Sequence, residues 1–214
     1  MDGFRDRLND PDPGFVCAAI GASPEQPPKT FRVWNRADPP ASIELIHRIP
    51  ADVPGANAVR DFYTAHNGGR LFVRPHSEPD GSRVGVELHP LEEWDQRTEQ
   101  IVPDFDDVPE DCMPYGREDF ISIAYPCGAS NYIHWVVRGP EAGRVYWWAW
   151  TMPPEKGYCT PLAETFAAFL DFVCGDPVRF LNDAVGGYTI FETEGSLLRW
   201  KPARYLPDVR KRNA

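Results

Sequence analysis

The spacing of apolar residues predicts a helix followed by a strand in the first half of the chain. One helical face is marked by residues at i, i+3, i+4 and i+7: Val59, Phe62, Tyr63 and His66. Asn57 is placed to cap the start of this helix. Asn67-Gly68-Gly69 is placed to end it, because glycine accepts the left-handed backbone that closes a helix. A strand is expected at residues 71–73.

Three segments in the middle of the chain are rich in β-branched and aromatic residues, which predicts strands: residues 120–125, 131–137 and 144–150. Turn residues separate them, so an antiparallel meander is the simplest interpretation. Side chains alternate along a strand, so Val145 and Trp147 should share one face. Trp148 and Trp150 should share the opposite face. Both faces are apolar, and we expect helices to cover one face and a terminal extension or a partner to cover the other.

A second apolar stripe predicts a longer helix near residue 170: Leu162, Phe166, Phe169, Leu170 and Val173. Thr160 is suited to be its N-cap, Pro161 to occupy its first turn, and Gly175 to end it. We expect Phe166 and Phe169 to pack between this helix and the sheet.

Weaker signals complete the pattern: strands at residues 31–34 and 84–88, an acidic helix at residues 90–100, a short helix at residues 177–185 and a hairpin near residues 194–195. The pattern predicts an α+β fold with a central antiparallel sheet flanked by helices. Residues 1–40 are rich in proline and are predicted to be an N-terminal extension. Residues 41–200 are expected to form a single domain, and residues 201–214 a loosely held, mildly basic tail.

The composition is that of a globular protein. The 214 residues are 42% apolar and 25% charged, which is enough chain to bury a core without disulfides. The five cysteines are an odd number at irregular spacings, which favours a reduced compartment. The N-terminus lacks a secretory-signal pattern, and no apolar run approaches the length that spans a bilayer. These features predict a cytoplasmic protein without a membrane partner.

Negative charge is concentrated in one stretch, which we call the acidic segment and define as residues 92–111. Its nine acidic residues are opposed within the stretch only by Arg97: Glu92, Glu93, Asp95, Glu99, Asp104, Asp106, Asp107, Glu110 and Asp111. The net charge of −10 disfavours direct binding of nucleic acid, because phosphates are neutralised by clustered Lys and Arg. A basic protein surface could instead be steered toward the segment. The simpler alternative is a solvated face that serves only solubility.

Three pieces of the chain occur in an order and spacing typical of a known family: residues 49–52 followed by 59–69, residues 143–148, and residues 162–170. Their sequences are Ile-Pro-Ala-Asp followed by Val-Arg-Asp-Phe-Tyr-Thr-Ala-His-Asn-Gly-Gly, then Gly-Arg-Val-Tyr-Trp-Trp, then Leu-Ala-Glu-Thr-Phe-Ala-Ala-Phe-Leu. Together they resemble the SUKH superfamily, which includes fungal regulators of cell-wall assembly and glucan synthesis. The resemblance extends from about Ser42 to Gly175. The chain departs from the pattern at Val53-Pro54-Gly55, which looks inserted before the helix, and at Ala149-Trp150, where many members have acidic or histidine residues.

The resemblance implies an α+β fold with a central antiparallel sheet and no known catalytic constellation. Bacterial members of the superfamily are largely regarded as immunity proteins that neutralise toxins exchanged between cells, often nucleases or deaminases, and fungal members as regulatory adaptors. It also implies a structural role for the residues of the matching motifs: Asn67, Gly68, Gly69, Val145, Trp147, Phe166 and Phe169.

Candidates for catalysis are weak. The five histidines show no metal-ligand spacing and no glycine-rich nucleotide motif is present, so we expect neither a metal nor a cofactor. Cys127, in a turn, is the best nucleophile candidate, with His66 or His134 as its base, although an inert cysteine is the simpler interpretation. Glu92 and Glu93 are adjacent on a predicted helix and cannot both point into one cleft.

These observations predict a non-enzymatic protein-binding module, with an immunity protein directed at a basic toxin domain such as a nuclease as the leading hypothesis. The predicted partner-binding residues are acidic or aromatic: Glu92, Glu93, Asp104, Asp106, Asp107, Trp148 and Trp150. Two alternatives stay open. The chain could be a regulatory adaptor in cell-wall or signalling assembly that binds through its proline-rich N-terminal segment, or a carbohydrate-binding or hydrolytic protein that uses exposed aromatic side chains.

Overall fold

In the computed structural model, which describes residues 15–19, 29–32, 34–73, 85–105, 108, 113–126, 131–149, 159–175, 180 and 189–190, ten strands form two antiparallel sheets. The strands are β1 (Phe15–Ala19), β2 (Lys29–Arg32), β3 (Trp34–Ala37), β4 (Gly69–Val73), β5 (Val86–Leu88), β6 (Phe120–Pro126), β7 (Asn131–Val136), β8 (Val145–Ala149), β9 (Cys159–Ala163) and β10 (Thr189–Ile190). The larger sheet has the order β3-β4-β5-β6-β7-β8-β9, so each strand pairs with its neighbour in sequence. The smaller sheet has the order β10-β1-β2.

Helices accompany the larger sheet. They are α1 (Ile43–Ile46), α2 (Ala56–Ala65), a 3-10 helix (Leu91–Glu93), α3 (Trp94–Phe105) and α4 (Phe166–Gly175). The predicted α+β fold with a central antiparallel sheet is confirmed. The meander predicted from the three middle segments is also confirmed, because they form the adjacent strands β6, β7 and β8.

One face of the larger sheet, which we call the first face, is covered by α2 and α4. Four of the motif residues are buried there: Val145, Trp147, Phe166 and Phe169. Phe62 of α2 meets Phe166 of α4 edge to face, with 5.6 Å between ring centroids. Burial of each such side chain contributes about 1.5–3 kcal/mol to folding. The expected packing of Phe166 and Phe169 against the sheet is confirmed.

The opposite face, which we call the second face, carries a separate apolar cluster. Its buried members are Ile101, Val108, Tyr115, Phe120, Val136, Tyr146 and Trp148. Trp147 and Trp148 therefore lie on opposite faces, as the alternation along β8 predicts. Ile101 and Val108 belong to the acidic segment, so this segment supplies part of the cover that we expected only from a terminal extension or a partner.

The start of α4 differs from the prediction. Thr160 and Pro161 do not begin a helix, because residues Cys159–Ala163 form the strand β9 at the edge of the larger sheet. Proline is tolerated on an edge strand, where its missing N–H need not pair with a neighbour. The helix begins at Phe166, and the hydroxyl oxygen of Thr165 accepts a hydrogen bond from the Ala168 amide at 3.2 Å. The apolar stripe was predicted correctly, but its N-cap was not.

The residues that start and end α2 also differ from those predicted. Gly55, with a φ of 79°, is the N-cap instead of Asn57, which lies inside the first turn. At the other end His66 is extended, with a φ of −148°, so the helix closes before the two glycines. Gly68 and Gly69 are therefore needed for a reason other than a left-handed helix end.

The acidic helix is longer than expected. It starts as the 3-10 helix and continues as α3 to Phe105, so Asp104 lies on a helix and not in a loop. Other predicted elements shift by a few residues: the strand expected at residues 31–34 is divided between β2 and β3, and that at residues 84–88 is the shorter β5.

Several predictions fall outside the described residues. These include most of the helix at residues 177–185, the hairpin near residues 194–195 and the tail at residues 201–214. Phe180 is described, and its buried ring contacts Phe169 at 6.1 Å between centroids. Within the described ranges, none of the helices has the length and apolar character needed to cross a membrane.

Candidate functional site

Asn67 joins three parts of the fold at the end of α2. Its backbone N–H donates to the carbonyl of Pro39 at 2.8 Å. Its side-chain oxygen accepts from the Leu91 amide at 2.9 Å, at the start of the 3-10 helix. Its side-chain nitrogen donates to Glu92 Oε2 at 2.7 Å. Asn67 therefore fixes the position at which the acidic segment begins.

The two glycines after Asn67 allow backbones to approach closely. A Cβ on Gly68, whose φ is 93°, would lie 2.6 Å from the Leu88 carbonyl oxygen. A Cβ on Gly69 would lie 2.7 Å from the Arg36 carbonyl oxygen. Neither backbone oxygen can move without disturbing β3 or β5. The Asn67-Gly68-Gly69 motif thus has a structural function in this chain.

The first half of the acidic segment is partly neutralised by the fold. Glu93 pairs with Arg97 at 2.8 Å, one helical turn away. Asp95 pairs with Arg48, which reaches it from the residues just after α1. Glu92 and Glu99 are exposed, and Glu92 accepts only the neutral Asn67 amide among the contacts described. The segment itself contains one cation, Arg97, and the fold brings a second, Arg48, to its carboxylates.

The second half of the acidic segment contains the predicted contact residues Asp104, Asp106 and Asp107. Asp104 lies within α3, and its side chain is outside the described part of the structure. Asp106 and Asp107 are themselves outside it. Their role in binding stays a prediction.

Apolar side chains anchor this half of the segment on the second face. Ile101 is fully buried, and Val108 is 7% exposed. Both contact the cluster that contains Val136 and Trp148. These anchors were missed in the sequence because the charges around them dominate the pattern. Acidic positions 104, 106 and 107 lie in sequence between two buried apolar residues.

Thr98 links α3 to the edge of β6. Strand β5 pairs with β6 only along the second half of β6, from Ala124 to Pro126. Nearer the start of β6, the Ser122 amide donates to the Thr98 hydroxyl oxygen at 3.0 Å. The hydroxyl donates in turn to the carbonyl of Trp94 at 2.8 Å. Helix α3 therefore takes the place of a continuing β5 and carries the acidic segment along the sheet edge.

Tyr115 lies at the centre of a buried polar group on the second face. Its hydroxyl is 2.9 Å from His134 Nδ1 and 3.1 Å from Cys159 Sγ. Burial lowers the pKa of His134 to about 3 and raises the pKa of Cys159 to about 12. At neutral pH the imidazole and the thiol are therefore both uncharged. Since the thiolate is the nucleophilic form of cysteine, this arrangement does not generate a reactive cysteine.

Trp148 and Trp150 were predicted to contact a partner, and the structure describes the first of them. Trp148 is buried without measurable exposure, and its ring stacks near His134 at 5.9 Å between centroids. It fills the second face in this conformation and is not part of the exposed surface. Trp150 lies outside the described residues. The surface that can be described for binding is therefore acidic and not aromatic.

The other chemical candidates are only partly described. Cys127 lies outside the described residues. His66 contacts the Phe62 ring at 6.0 Å between centroids. In the part of the chain that the structure describes, no group of three or more His, Cys, Asp or Glu residues is arranged to hold a metal ion.

Comparison with known families identifies the class of protein. Residues 56–171, more than half of the chain, match the model of the SMI1 / KNR4 family (SUKH-1). The matched region runs from the start of α2 into α4 and contains the acidic segment and the buried cluster of the second face. The chain belongs to the SMI1 / KNR4 family (SUKH-1). This membership supports a protein-binding role of the toxin-immunity or regulatory kind. A search of curated proteins found no match.

Proposed function

We propose that this chain is an immunity protein that acts in the cytoplasm, where it binds and neutralises a basic toxin domain through its acidic segment. The observation that supports the proposal is that contacts at several positions hold the acidic segment on the fold. Asn67 holds its start, and Ile101 and Val108 are buried against the second face. Glu92 and Glu99 of the same segment are exposed.

Charge favours a basic partner. The chain has a net charge of −10, and nine acidic residues fall within the 20 positions of the segment. Clustered charge of one sign accelerates encounter with a surface of the opposite sign. A nuclease toxin needs a basic groove for its own substrate, so an acidic protein can block that groove by occupying it.

Co-expression tests the proposal. The reading frames that neighbour the gene for this chain should be inspected for a toxin-like product, which should be produced from an inducible promoter, with and without the chain, and survival should be counted. We expect the chain to restore growth, and an unrelated acidic protein of similar size and charge to fail. If the toxin kills cells that contain the folded chain as efficiently as cells that lack it, the proposal is wrong.

The adaptor hypothesis makes a different prediction about the N-terminal segment. An adaptor that binds through proline-rich sequence would lose its partner when Pro24, Pro27 and Pro28 are replaced by alanine. An immunity protein that binds through the acidic segment would still restore growth. The same survival assay therefore separates the two functions.

A further inference from the structure

Ile43 is an exposed apolar residue at the start of α1. Its side chain is 58% exposed, and among the described residues it is the one large apolar side chain left on the surface. Ile46, one helical turn later, is buried in the core of the first face, so α1 is attached to that core without Ile43. Isoleucine is also a weaker helix former than alanine, glutamate or lysine. Neither core packing nor helix propensity accounts for an isoleucine at this position.

Helix α1 is attached to the first half of the acidic segment. It contacts the 3-10 helix with which that segment begins. Arg48, two residues after the end of α1, pairs with Asp95. Asn67 accepts a hydrogen bond from the Leu91 amide and donates its own amide to the Pro39 carbonyl, so it also ties the chain that leads into α1 to the acidic segment. The exposed isoleucine therefore lies on a helix that is fixed against this segment.

The exposed surface around this junction carries net negative charge. Glu92, Asp95 and Glu99 are exposed and recur at intervals of three and four residues, which places them on one side of the helical segment. Glu44, directly after the isoleucine, is exposed as well. Arg48 offsets one of these four carboxylates through its pair with Asp95. An apolar side chain and a negative surface thus belong to two helices in contact.

We propose that Ile43 is an apolar anchor of the partner-binding surface, and that it fits a basic protein surface with an apolar recess bordered by lysine or arginine. This inference rests on the proposed function and specifies the chemistry that the toxin domain must offer. Single exposed apolar residues are common on proteins, but this one lies on a helix fixed against an acidic surface. Charge complementarity therefore favours a basic occupant, because carboxylates steer and orient basic side chains while buried apolar contacts supply affinity.

Short peptides test the inference without the toxin. The probe is Lys-Lys-Leu-Lys-Lys, and its control is Lys-Lys-Gly-Lys-Lys, which has the same charge but no apolar side chain. Both are titrated into the full chain and followed by amide resonances in NMR spectra. We expect the leucine peptide to bind about three- to tenfold more tightly, because it buries apolar surface against Ile43. The largest shifts should occur at residues 42–48 and 92–99.

Ile43→Ala should bind the two peptides about equally. Because the side chain is exposed, its removal should leave the free energy of unfolding in urea unchanged. Ile43→Thr keeps the branch at Cβ and replaces apolar atoms by a hydroxyl, so it should lose the preference for leucine as well. Equal binding of the two peptides by the unaltered chain, or a preference for leucine that persists in both variants, would overturn the inference.

The binding arm uses the toxin from the survival assay. Ile43→Ala should weaken toxin binding about five- to twentyfold, mainly through faster dissociation. Thr160→Ala is the matched control, because Thr160 is also β-branched and exposed but lies on the edge strand β9 instead of α1. It should bind the toxin as the unaltered chain does.

Unchanged toxin binding by Ile43→Ala, or an equal loss in Thr160→Ala, would contradict the role of Ile43 as an anchor. If the unaltered chain binds no toxin, the proposed function fails. The peptide titration then still decides whether Ile43 supplies an apolar contact for a basic partner.

Discussion

The Thr98 hydroxyl accepts the Ser122 amide at 3.0 Å, and this one bond connects the helix of the acidic segment to a strand of the central sheet. Ser122 is fully buried, so its amide has no access to water. The bond therefore explains why α3 can lie where a neighbouring strand would otherwise continue.

Removal of this hydroxyl should be costly. Thr98→Val keeps the shape of the side chain but leaves the Ser122 amide without its acceptor. An unpaired buried amide costs about 1–3 kcal/mol, and we expect the free energy of unfolding in urea to fall by that amount. Thr98→Ser restores the acceptor and should lose much less. Equal stability of the valine variant and the unaltered protein would show that this bond does not hold α3.

Glycine is required at position 68 but not at position 175. Gly68→Ala places a Cβ against the Leu88 carbonyl at a positive φ, and a strained backbone of this kind costs about 1–3 kcal/mol. Gly175 has no atom within 4 Å of a Cβ, so Gly175→Ala should be tolerated. Thermal unfolding of the two variants measures the difference. A large loss at position 175, or none at position 68, would contradict the close approach described for the Asn67 motif.

Acid should destabilise the protein through two buried histidines. Burial lowers the pKa of His134 to about 3, and burial together with the charge of Arg97 lowers the pKa of His89 to about 4. The unfolded chain has a pKa of about 6.5 at each position, so it binds more protons than the folded chain between pH 6.5 and 4. Stability from both groups is present above pH 6.5 and is lost as the pH falls.

The size of this effect can be measured between pH 7 and pH 5. At pH 5 each histidine should reduce the free energy of unfolding by about 2 kcal/mol relative to pH 7. Urea titrations at the two pH values give the total, and imidazole resonances in NMR spectra show which histidines remain neutral. If the resonances of His89 and His134 titrate near pH 6.5 in the folded protein, the prediction is wrong.

The sequence predicted elements whose pattern is local. The alternation along β8 placed Trp147 and Trp148 on opposite faces, and the helical stripe identified Phe166 and Phe169 as core residues. The helix start was wrong because Thr160-Pro161 is also compatible with an edge strand, and only pairing with β8 distinguishes the two. Such pairing depends on residues that are distant in sequence.

The candidate site was predicted less completely than the fold. The acidic charges were visible in the sequence, but their partners Arg48 and Asn67 are 47 and 25 residues away from Asp95 and Glu92. The buried anchors could have been found, because positions 101, 108 and 115 recur every seven residues as apolar or aromatic side chains in and just after an acidic stretch. Their burial could not be derived without the shape of the second face.

The most direct test of the central claim is the affinity of the toxin for a chain whose acidic segment has been neutralised. Asp104, Asp106 and Asp107 should be replaced together by asparagine. The matched control replaces three exposed acidic residues elsewhere, Asp52, Asp61 and Glu118, by their amides, which changes the net charge equally. Calorimetry at two salt concentrations should show at least about tenfold weaker binding and a smaller salt dependence for the first variant only. Equal affinities of the two variants would contradict binding through the acidic segment.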